Sequence, residues 1–167
     1  MNISGVIMDS IVDGPGIRMT VFFQGCPHHC IGCQNPETWD YNKKVLNLSI
    51  SDLLNELKKD PLISGVTFSG GEPLSPCNFK ELFEFAKILK SMGKNIWIYT
   101  GYTIEEVINK FPEIKENLLP YVDVIVDGPF IMEKKDLLLN FRGSSNQRLI
   151  DVQKYLKGDK DFLYEKE

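Results

Sequence analysis

The sequence predicts a single α/β domain with a mostly parallel sheet. Apolar runs rich in β-branched and aromatic residues alternate with segments of helical periodicity, and each parallel pair of strands needs such a crossover. Glycine and proline are scattered between these runs as turn residues, so no internal linker divides the 167 residues. About five or six strands are too few for an eight-stranded barrel, so we expect a partial, open β/α barrel. We place the domain at residues 1–155 and a charged, mobile tail at 156–167.

Composition and charge exclude several classes of protein. Hydrophobic residues make up 43% and charged residues 25% of the chain, which is typical of a folded globular domain. The net charge of -4 provides no basic field for binding nucleic acid. No apolar stretch approaches the roughly 20 residues that span a bilayer, and Asp9 and Asp13 stand where a signal peptide would be apolar. We therefore expect a cytoplasmic protein with no nucleic-acid or membrane partner.

The first part of the chain predicts two strands and a helix. Residues 3–8 and 18–23 have the β-branched and aromatic content of strands, and the Asp-Gly-Pro-Gly turn at 13–16 separates them. Helical spacing of leucines follows Ser51, which is the expected N-cap. We expect this helix to end near Pro61, because the residue before a proline disfavours helical conformation.

The middle of the chain continues the alternation. Residues 65–69 predict a short buried strand that ends at a glycine-rich turn. Asn78 is expected to cap the next helix, with Glu81 at the capping-box position. Residues 95–99 predict the strand that follows it.

The last part of the chain predicts one more helix and two strands. Thr103 and Glu106 have the spacing of a capping box, and residues 122–126 and 149–152 read as strands. Several candidate motifs lie directly after predicted strands. Because the carboxyl ends of parallel strands meet at one edge of a sheet, we expect those motifs to converge on one site.

Four cysteines indicate that the protein binds a metal or acts in catalysis. In a reducing compartment, clustered cysteines more often bind metal or act in catalysis than form disulfides. Three of the four are separated by only three and two residues, and soft thiolates of this kind select zinc, copper(I) or iron–sulfur clusters. A zinc site needs a fourth ligand, which His28, His29 or the most distant cysteine could supply. The cysteines are Cys26, Cys30, Cys33 and Cys77.

The spacing of the cysteines favours an iron–sulfur cluster. Zinc sites usually take two ligand pairs from two separate segments, and the sequence has no second pair. Three thiolates on a four-iron cluster leave one iron open for a substrate. A second motif, Gly-Gly-Glu-Pro at 70–73, has glycines that allow close backbone approach to a ligand and a carboxylate that can accept from an ammonium group.

These two motifs resemble those of the radical S-adenosylmethionine superfamily, whose cluster loop has this Cys-x3-Cys-x2-Cys spacing and whose second signature is a glycine-rich turn. The resemblance implies the fold type of that superfamily, a 4Fe-4S cluster with one open iron, and S-adenosylmethionine bound at that iron and against the turn. It assigns the cluster to Cys26, Cys30 and Cys33, and the contacts of the turn to Gly70, Gly71 and Glu72.

The residue before the third cysteine departs from the pattern of the superfamily. Many members have an aromatic residue there, close to the adenine, whereas this sequence has Gly32. The resemblance then implies adenine contacts from the backbone of Gly32, Cys33 and Gln34. Thr100, at the end of the fourth predicted strand, is a further candidate for cofactor binding.

Further stretches narrow the resemblance to activating enzymes of glycyl radical enzymes, which carry Asp-Gly-Pro-Gly-Ile-Arg before the cluster loop, as at 13–18. Stretches at 25–30, 33–39, 127–130 and 142–148 are similar to the family that activates anaerobic ribonucleoside-triphosphate reductase. This implies reductive cleavage of S-adenosylmethionine to a 5′-deoxyadenosyl radical, which takes a hydrogen atom from a glycine of the large catalytic subunit of that reductase. It also implies a one-electron donor such as flavodoxin or ferredoxin.

Other interpretations remain open from the sequence. The chain could be a radical enzyme that acts on another glycyl radical enzyme or on a small molecule, or it could be a zinc-stabilised binding module. Arg142 and Arg148 could bind a carboxylate or be ordinary surface charges. His28 and His29 could shape the loop or tune the cluster, while Cys77 is expected to be a buried small residue.

Overall fold

The computed structural model describes residues 1–43 and 45–164. Within them, six strands form one sheet whose spatial order equals their order along the chain. The strands are β1 (Ile3–Ser10), β2 (Arg18–Phe23), β3 (Gly65–Gly70), β4 (Asn95–Tyr99), β5 (Val124–Asp127) and β6 (Arg148–Asp151). The α-helices of the same residues are α1 (Ile50–Lys59), α2 (Phe79–Ser91), α3 (Ile104–Lys110), α4 (Pro112–Asn117) and α5 (Val152–Leu156). None of these helices is long and apolar enough to cross a bilayer.

The sheet is mixed and mostly parallel, which confirms the predicted α/β class. β2, β3, β4 and β5 run parallel to one another, whereas β1 and β6 pair antiparallel at the two edges. The connections between parallel strands contain the helices: α1 before β3, α2 before β4, and α3 with α4 before β5. The carboxyl ends of β2 to β5 therefore lie along one edge of the sheet.

The two faces of the sheet carry separate apolar layers, because successive side chains of a strand point to opposite sides. In β4, Ile96 and Ile98 belong to the main core with the helices, whereas Trp97 between them is fully buried in a second cluster. There the indole ring packs edge-on against the rings of Phe141 and Tyr164. The second cluster is thus built from β4, β5 and β6 and from segments near the end of the chain.

A buried arginine fixes the loop between β1 and β2. The Arg18 guanidinium is fully buried, and burial lowers its pKa to about 10. It donates to the hydroxyl of Thr67 and to the carbonyl oxygens of Pro15, Val66 and Asn95. A Cβ at Gly14 or Gly65 would collide with this side chain. The Asp-Gly-Pro-Gly-Ile-Arg stretch therefore ends at the amino ends of the parallel strands, whereas its first residue, Asp13, lines a groove that reaches the cysteine loop.

The N-terminus of α1 differs from the prediction. The N-cap is Ser49, whose hydroxyl accepts from the N–H of Asp52, while the Asp52 carboxylate accepts from the N–H of Ser49. Ser51, the expected cap, lies inside the first turn. The prediction is wrong by two residues because both serines are followed by suitable helix formers, and the capping box with Asp52 selects the first.

The predicted capping box of α2 is also wrong. A 3-10 turn over Pro76–Asn78 leads directly into the helix, so Asn78 is already helical and its side chain makes no cap. The Asn78 side-chain oxygen instead accepts from the N–H of Asn2, and Glu81 pairs with the N-terminal amino group. The capping box of Thr103 and Glu106 at the start of α3 is confirmed.

The chain after β6 contributes to the sheet. Val152, expected in the last strand, opens α5. The described part of the segment expected to be a mobile tail then returns to β6: the N–H of Tyr164 donates to the carbonyl of Leu149, and the N–H of Asp151 donates to the carbonyl of Phe162. Aromatic residues of this segment thereby pack on both apolar layers.

Candidate functional site

Four loops at the carboxyl edge of the parallel strands surround one cleft of about 220 Å³. The cysteine loop follows β2, the glycine-rich turn follows β3, and the next two loops follow β4 and β5. The structure brings together in this cleft the predicted residues Cys26, Cys30, Cys33, Gln34, Gly70, Gly71 and Thr100. The two other predicted residues are outside its lining: Gly32 is exposed in the cysteine loop, and Glu72 is fully buried.

Backbone N–H groups point at two of the three clustered thiols. The sulfur of Cys26 accepts from the N–H groups of His28 and His29, and that of Cys33 accepts from the N–H of Asn35 at 3.4 Å. Left-handed backbone at His29 (φ 48°) and Gly32 (φ 78°) produces the tight turns that aim these donors inward. Donors of this kind stabilise a thiolate, which is the form that binds iron.

Burial dominates the ionisation of Cys26. It raises the pKa of this thiol to about 11, and the N–H donors of His28 and His29 only partly oppose the shift. The thiol of the ligand-free protein is therefore protonated at neutral pH, and a metal that binds there must displace the proton.

Three cysteine thiols line the cleft, and thiolates are the ligands that iron–sulfur clusters take. A structural zinc site gathers four donors around one point. Among residues 1–43 and 45–164, no three His, Cys, Asp or Glu side chains converge on a point that could hold one metal ion. The cysteines of a 4Fe-4S cluster each bind a different iron, so their sulfurs surround the cluster without converging. The residues present thus fit a cluster at the cleft.

Glu72 is the centre of a hydrogen-bond network behind the cleft. Its side chain is fully buried. Oε1 accepts from Nε2 of His28 at 2.6 Å, from the hydroxyl of Thr100 at 2.9 Å and from the N–H of Gly101 at 2.8 Å, and Oε2 accepts from the N–H of Leu74 at 2.9 Å. The carboxylate thereby joins the cysteine loop, the glycine-rich turn and the end of β4.

The two histidines of the cysteine loop pack on aromatic rings. His28 meets Tyr102 edge-on with ring centres 4.5 Å apart, and His29 stacks on Trp39 at 4.5 Å with the planes 12° apart. A Cβ at Gly101 would collide with the His28 ring, so glycine is required there. Of the two roles left open by the sequence, these contacts support shaping of the loop.

The loop between β5 and β6 supplies further cleft residues, one expected at this edge of the sheet and two that the sequence analysis missed. Gly128, Phe130 and Gln147 line the cleft. Phe130 also lies close to Gly32, where an added Cβ would collide with Met132. The small residue before the third cysteine thus makes room for side chains of this loop. Gly128 follows a predicted strand directly and was expected at this edge for that reason, whereas Phe130 and Gln147 are the two that were missed.

The two candidate arginines have different surroundings. Arg148 lies outside the cleft lining and donates through Nε and Nη2 to the carboxylate of Asp127, which is buried. The hydrogen bonds to Asp127 raise the pKa of Arg148, and a further one joins it to Glu105. Arg142 instead lines a groove beside the cleft, and its buried Nε has no hydrogen-bond partner in the described part of the chain.

Cys77 is exposed, so the expectation of a buried small residue is wrong. It lies in the 3-10 turn before α2, and its sulfur accepts from the side-chain amide of Asn2 at 3.7 Å. It does not line the cleft, which sets it apart from the three clustered cysteines.

The sequence is similar to a family model and to a set of curated proteins. A model described as a 4Fe-4S single cluster domain matches residues 12–150. Proteins named anaerobic ribonucleoside-triphosphate reductase-activating protein match from several sources. The one from Vibrio cholerae is 40% identical over 147 residues, which cover 82% of this chain and 89% of that protein. The one from Haemophilus influenzae is 38% identical over 142 residues with the same coverage, and that of Enterobacteria phage T4 is 38% identical over 154 residues, or 89% and 93%.

Proposed function

The chain belongs to the family of anaerobic ribonucleoside-triphosphate reductase-activating proteins, and we propose that it generates a glycyl radical on that reductase by reductive cleavage of S-adenosylmethionine. The observation that carries the proposal is the shared cleft: the three cysteines of one loop and the two glycines of the next turn line the same space. Cluster ligands and cofactor contacts are thus available side by side.

We assign the 4Fe-4S cluster to Cys26, Cys30 and Cys33, which line the cleft together; backbone N–H groups of the same loop act on two of them, Cys26 and Cys33. These three residues would hold the cluster, which would supply the electron for reductive cleavage of S-adenosylmethionine and so for removal of a hydrogen atom from the glycine. The protein positions the reactants and excludes water around them.

We assign S-adenosylmethionine to the remainder of the cleft. Gly70 and Gly71 line this space, and a Cβ at either would collide with backbone atoms of the β2 strand end or the cysteine loop, so glycine lets the turn pack close to both. Gly32, Cys33 and Gln34 provide backbone near the adenine. Glu72, whose oxygens already accept four hydrogen bonds, holds Thr100 and the turn in place from behind.

The proposed partners follow from this chemistry. The glycine belongs to the large catalytic subunit of the reductase, and a one-electron donor such as flavodoxin or ferredoxin reduces the cluster. We further propose that the open sheet is the partial β/α barrel typical of radical S-adenosylmethionine enzymes, because its strand order follows the chain and its cleft lies at the carboxyl ends of the parallel strands.

The test is an anaerobic assay of cluster-reconstituted protein with dithionite and S-adenosylmethionine, in which 5′-deoxyadenosine is measured by mass spectrometry. We expect Cys30→Ala to lower its formation roughly a hundredfold, because one cluster ligand is lost. Cys77→Ala is the matched control and should match the wild type, since Cys77 is exposed and outside the cleft.

Electron paramagnetic resonance should then detect a glycyl radical when the reductase is added to the wild type. A wild-type protein that holds one tightly bound zinc and produces no 5′-deoxyadenosine would contradict the proposal. The same is true if Cys30→Ala and Cys77→Ala have equal activity.

A further inference from the structure

Three loops beside the cleft carry strongly exposed apolar side chains. In the β5–β6 loop, Leu138 is 92% and Leu137 is 84% exposed. Ile31 of the cysteine loop is 85% exposed, and Ile11 and Val12 of the β1–β2 loop are each 70% exposed. Single exposed apolar residues are ordinary, but these belong to loops that meet at one place.

A groove of about 300 Å³ lies where these three loops meet. Val12, Gln34 and Leu137 line it, one from each loop. Gln34, Tyr99 and Gly143 line both this groove and the cleft. A polypeptide lying in the groove is therefore led directly to the candidate cofactor site.

The groove also contains a donor without an acceptor. Arg142 lines it, and the Nε of Arg142 is buried with no hydrogen-bond partner among residues 1–43 and 45–164. A guanidinium can only donate, so its missing partner must be an acceptor such as a main-chain carbonyl oxygen. This separates the groove from a purely apolar patch, because the guanidinium of Arg142 lines it and can donate to the carbonyl oxygens of an extended peptide.

The loop that presents the leucines is held in a defined conformation. The N–H of Asp136 donates to the carbonyl of Gly143, and the N–H of Ser145 donates to the carbonyl of Lys134. The Tyr99 hydroxyl donates to the carbonyl of Phe141 at 2.6 Å. A surface that is already ordered loses little conformational entropy on binding, which favours association.

We propose that these loops form the docking surface for the glycine-bearing segment of the reductase, with that segment extended in the groove, its carbonyl oxygens on Arg142 and apolar residues of the reductase on Leu137 and Leu138. The proposal rests on the proposed function, because a hydrogen atom on a main-chain carbon can be removed only if that main chain reaches the cleft. The continuity of groove and cleft identifies the occupant, since the groove leads to the reacting position.

The test compares the double variant Leu137→Asp, Leu138→Asp with the control Leu62→Asp. Leu62 is 72% exposed, but it precedes β3 and therefore lies at the opposite edge of the sheet. We expect the double variant to bind the reductase at least about tenfold more weakly and to give correspondingly less glycyl radical at limiting reductase. Formation of 5′-deoxyadenosine without reductase should stay at the wild-type level in both variants.

The outcomes separate this proposal from the one it rests on. If the wild type makes no 5′-deoxyadenosine, the proposed function itself is wrong. If the wild type is active and the double variant binds the reductase with unchanged Kd, the docking surface is wrong. If the double variant also loses reductase-independent cleavage, the leucines support the cleft rather than the partner, which overturns the proposal as well.

Discussion

Glu72 is the residue whose role changes most between sequence and structure. The motif assigns its carboxylate to the ammonium group of a ligand, whereas the fully buried side chain accepts four hydrogen bonds from the protein. A buried carboxylate is tolerated only when it is satisfied in this way. Its contribution to the site is therefore the relative position of three loops.

Glu72→Gln tests this role because it keeps the volume and removes the charge. One of the two oxygens becomes a donor that faces N–H or O–H donors, so we expect the free energy of unfolding of the cluster-free protein to fall by about 2 kcal/mol. Urea denaturation measures it. Glu84→Gln changes an exposed carboxylate of α2 and should stay within about 0.5 kcal/mol of the wild type. Equal stability of the two variants would argue against the network.

The raised pKa of Cys26 predicts a slow thiol in the cluster-free protein. With a pKa of about 11 the thiol is roughly 1% ionised at pH 9, and only the thiolate reacts with iodoacetamide. Mass spectrometry of alkylated peptides should show exposed Cys77 modified well before Cys26. The rate at Cys26 should rise about tenfold per pH unit up to about pH 11.

The raised pKa of Cys26 also makes the free energy of unfolding depend on pH. The unfolded thiol ionises near 9.0, so from pH 9 upward the unfolded chain loses protons that the folded chain keeps until about 11. Stability from this group is fully present below pH 9 and is lost as the pH rises through 11. Equal alkylation rates at Cys26 and Cys77 would show that Cys26 is not buried as described.

Among the elements, α1 offers the sharpest test because two serines compete for its cap. Ser49 makes both hydrogen bonds of the capping box, and exposed Ser51 lies in the first turn. We expect Ser49→Ala to lower the free energy of unfolding by about 1 kcal/mol, and Ser51→Ala by no more than a few tenths. Thermal or urea denaturation measures both losses. A larger loss for Ser51→Ala than for Ser49→Ala would show that Ser51 is the N-cap, as predicted from the sequence.

Strands were easier to predict than helix boundaries. The predicted β2 agrees with the observed strand, Arg18–Phe23, because β-branched and aromatic residues stand between clear turn residues. The connection between β4 and β5 was predicted as one helix, but Pro112 starts a second short helix, α4. A proline can end one helix or open the next, and the choice depends on packing that the sequence does not state.

At the scale of the molecule, the local part of the site was predictable and the long-range part was not. Cysteine spacing encodes ligand chemistry directly, so the three cysteines and the glycine-rich turn could be placed in one cleft. The contact between His28 and Glu72, and that of Gly32 with the β5–β6 loop, join residues far apart in the chain. Such contacts arise from strand pairing and loop packing, which no single motif records.

The strands lie in the sheet in the same order in which they are synthesised. Each strand after the first pairs with the one synthesised before it, so each of these strands has a partner that is already part of the chain. The cysteine loop follows β2, and the other walls of the cleft are synthesised later. The clustered thiols are therefore synthesised before most of the residues that enclose them, and the cleft is complete only after the loop between β5 and β6 has been made.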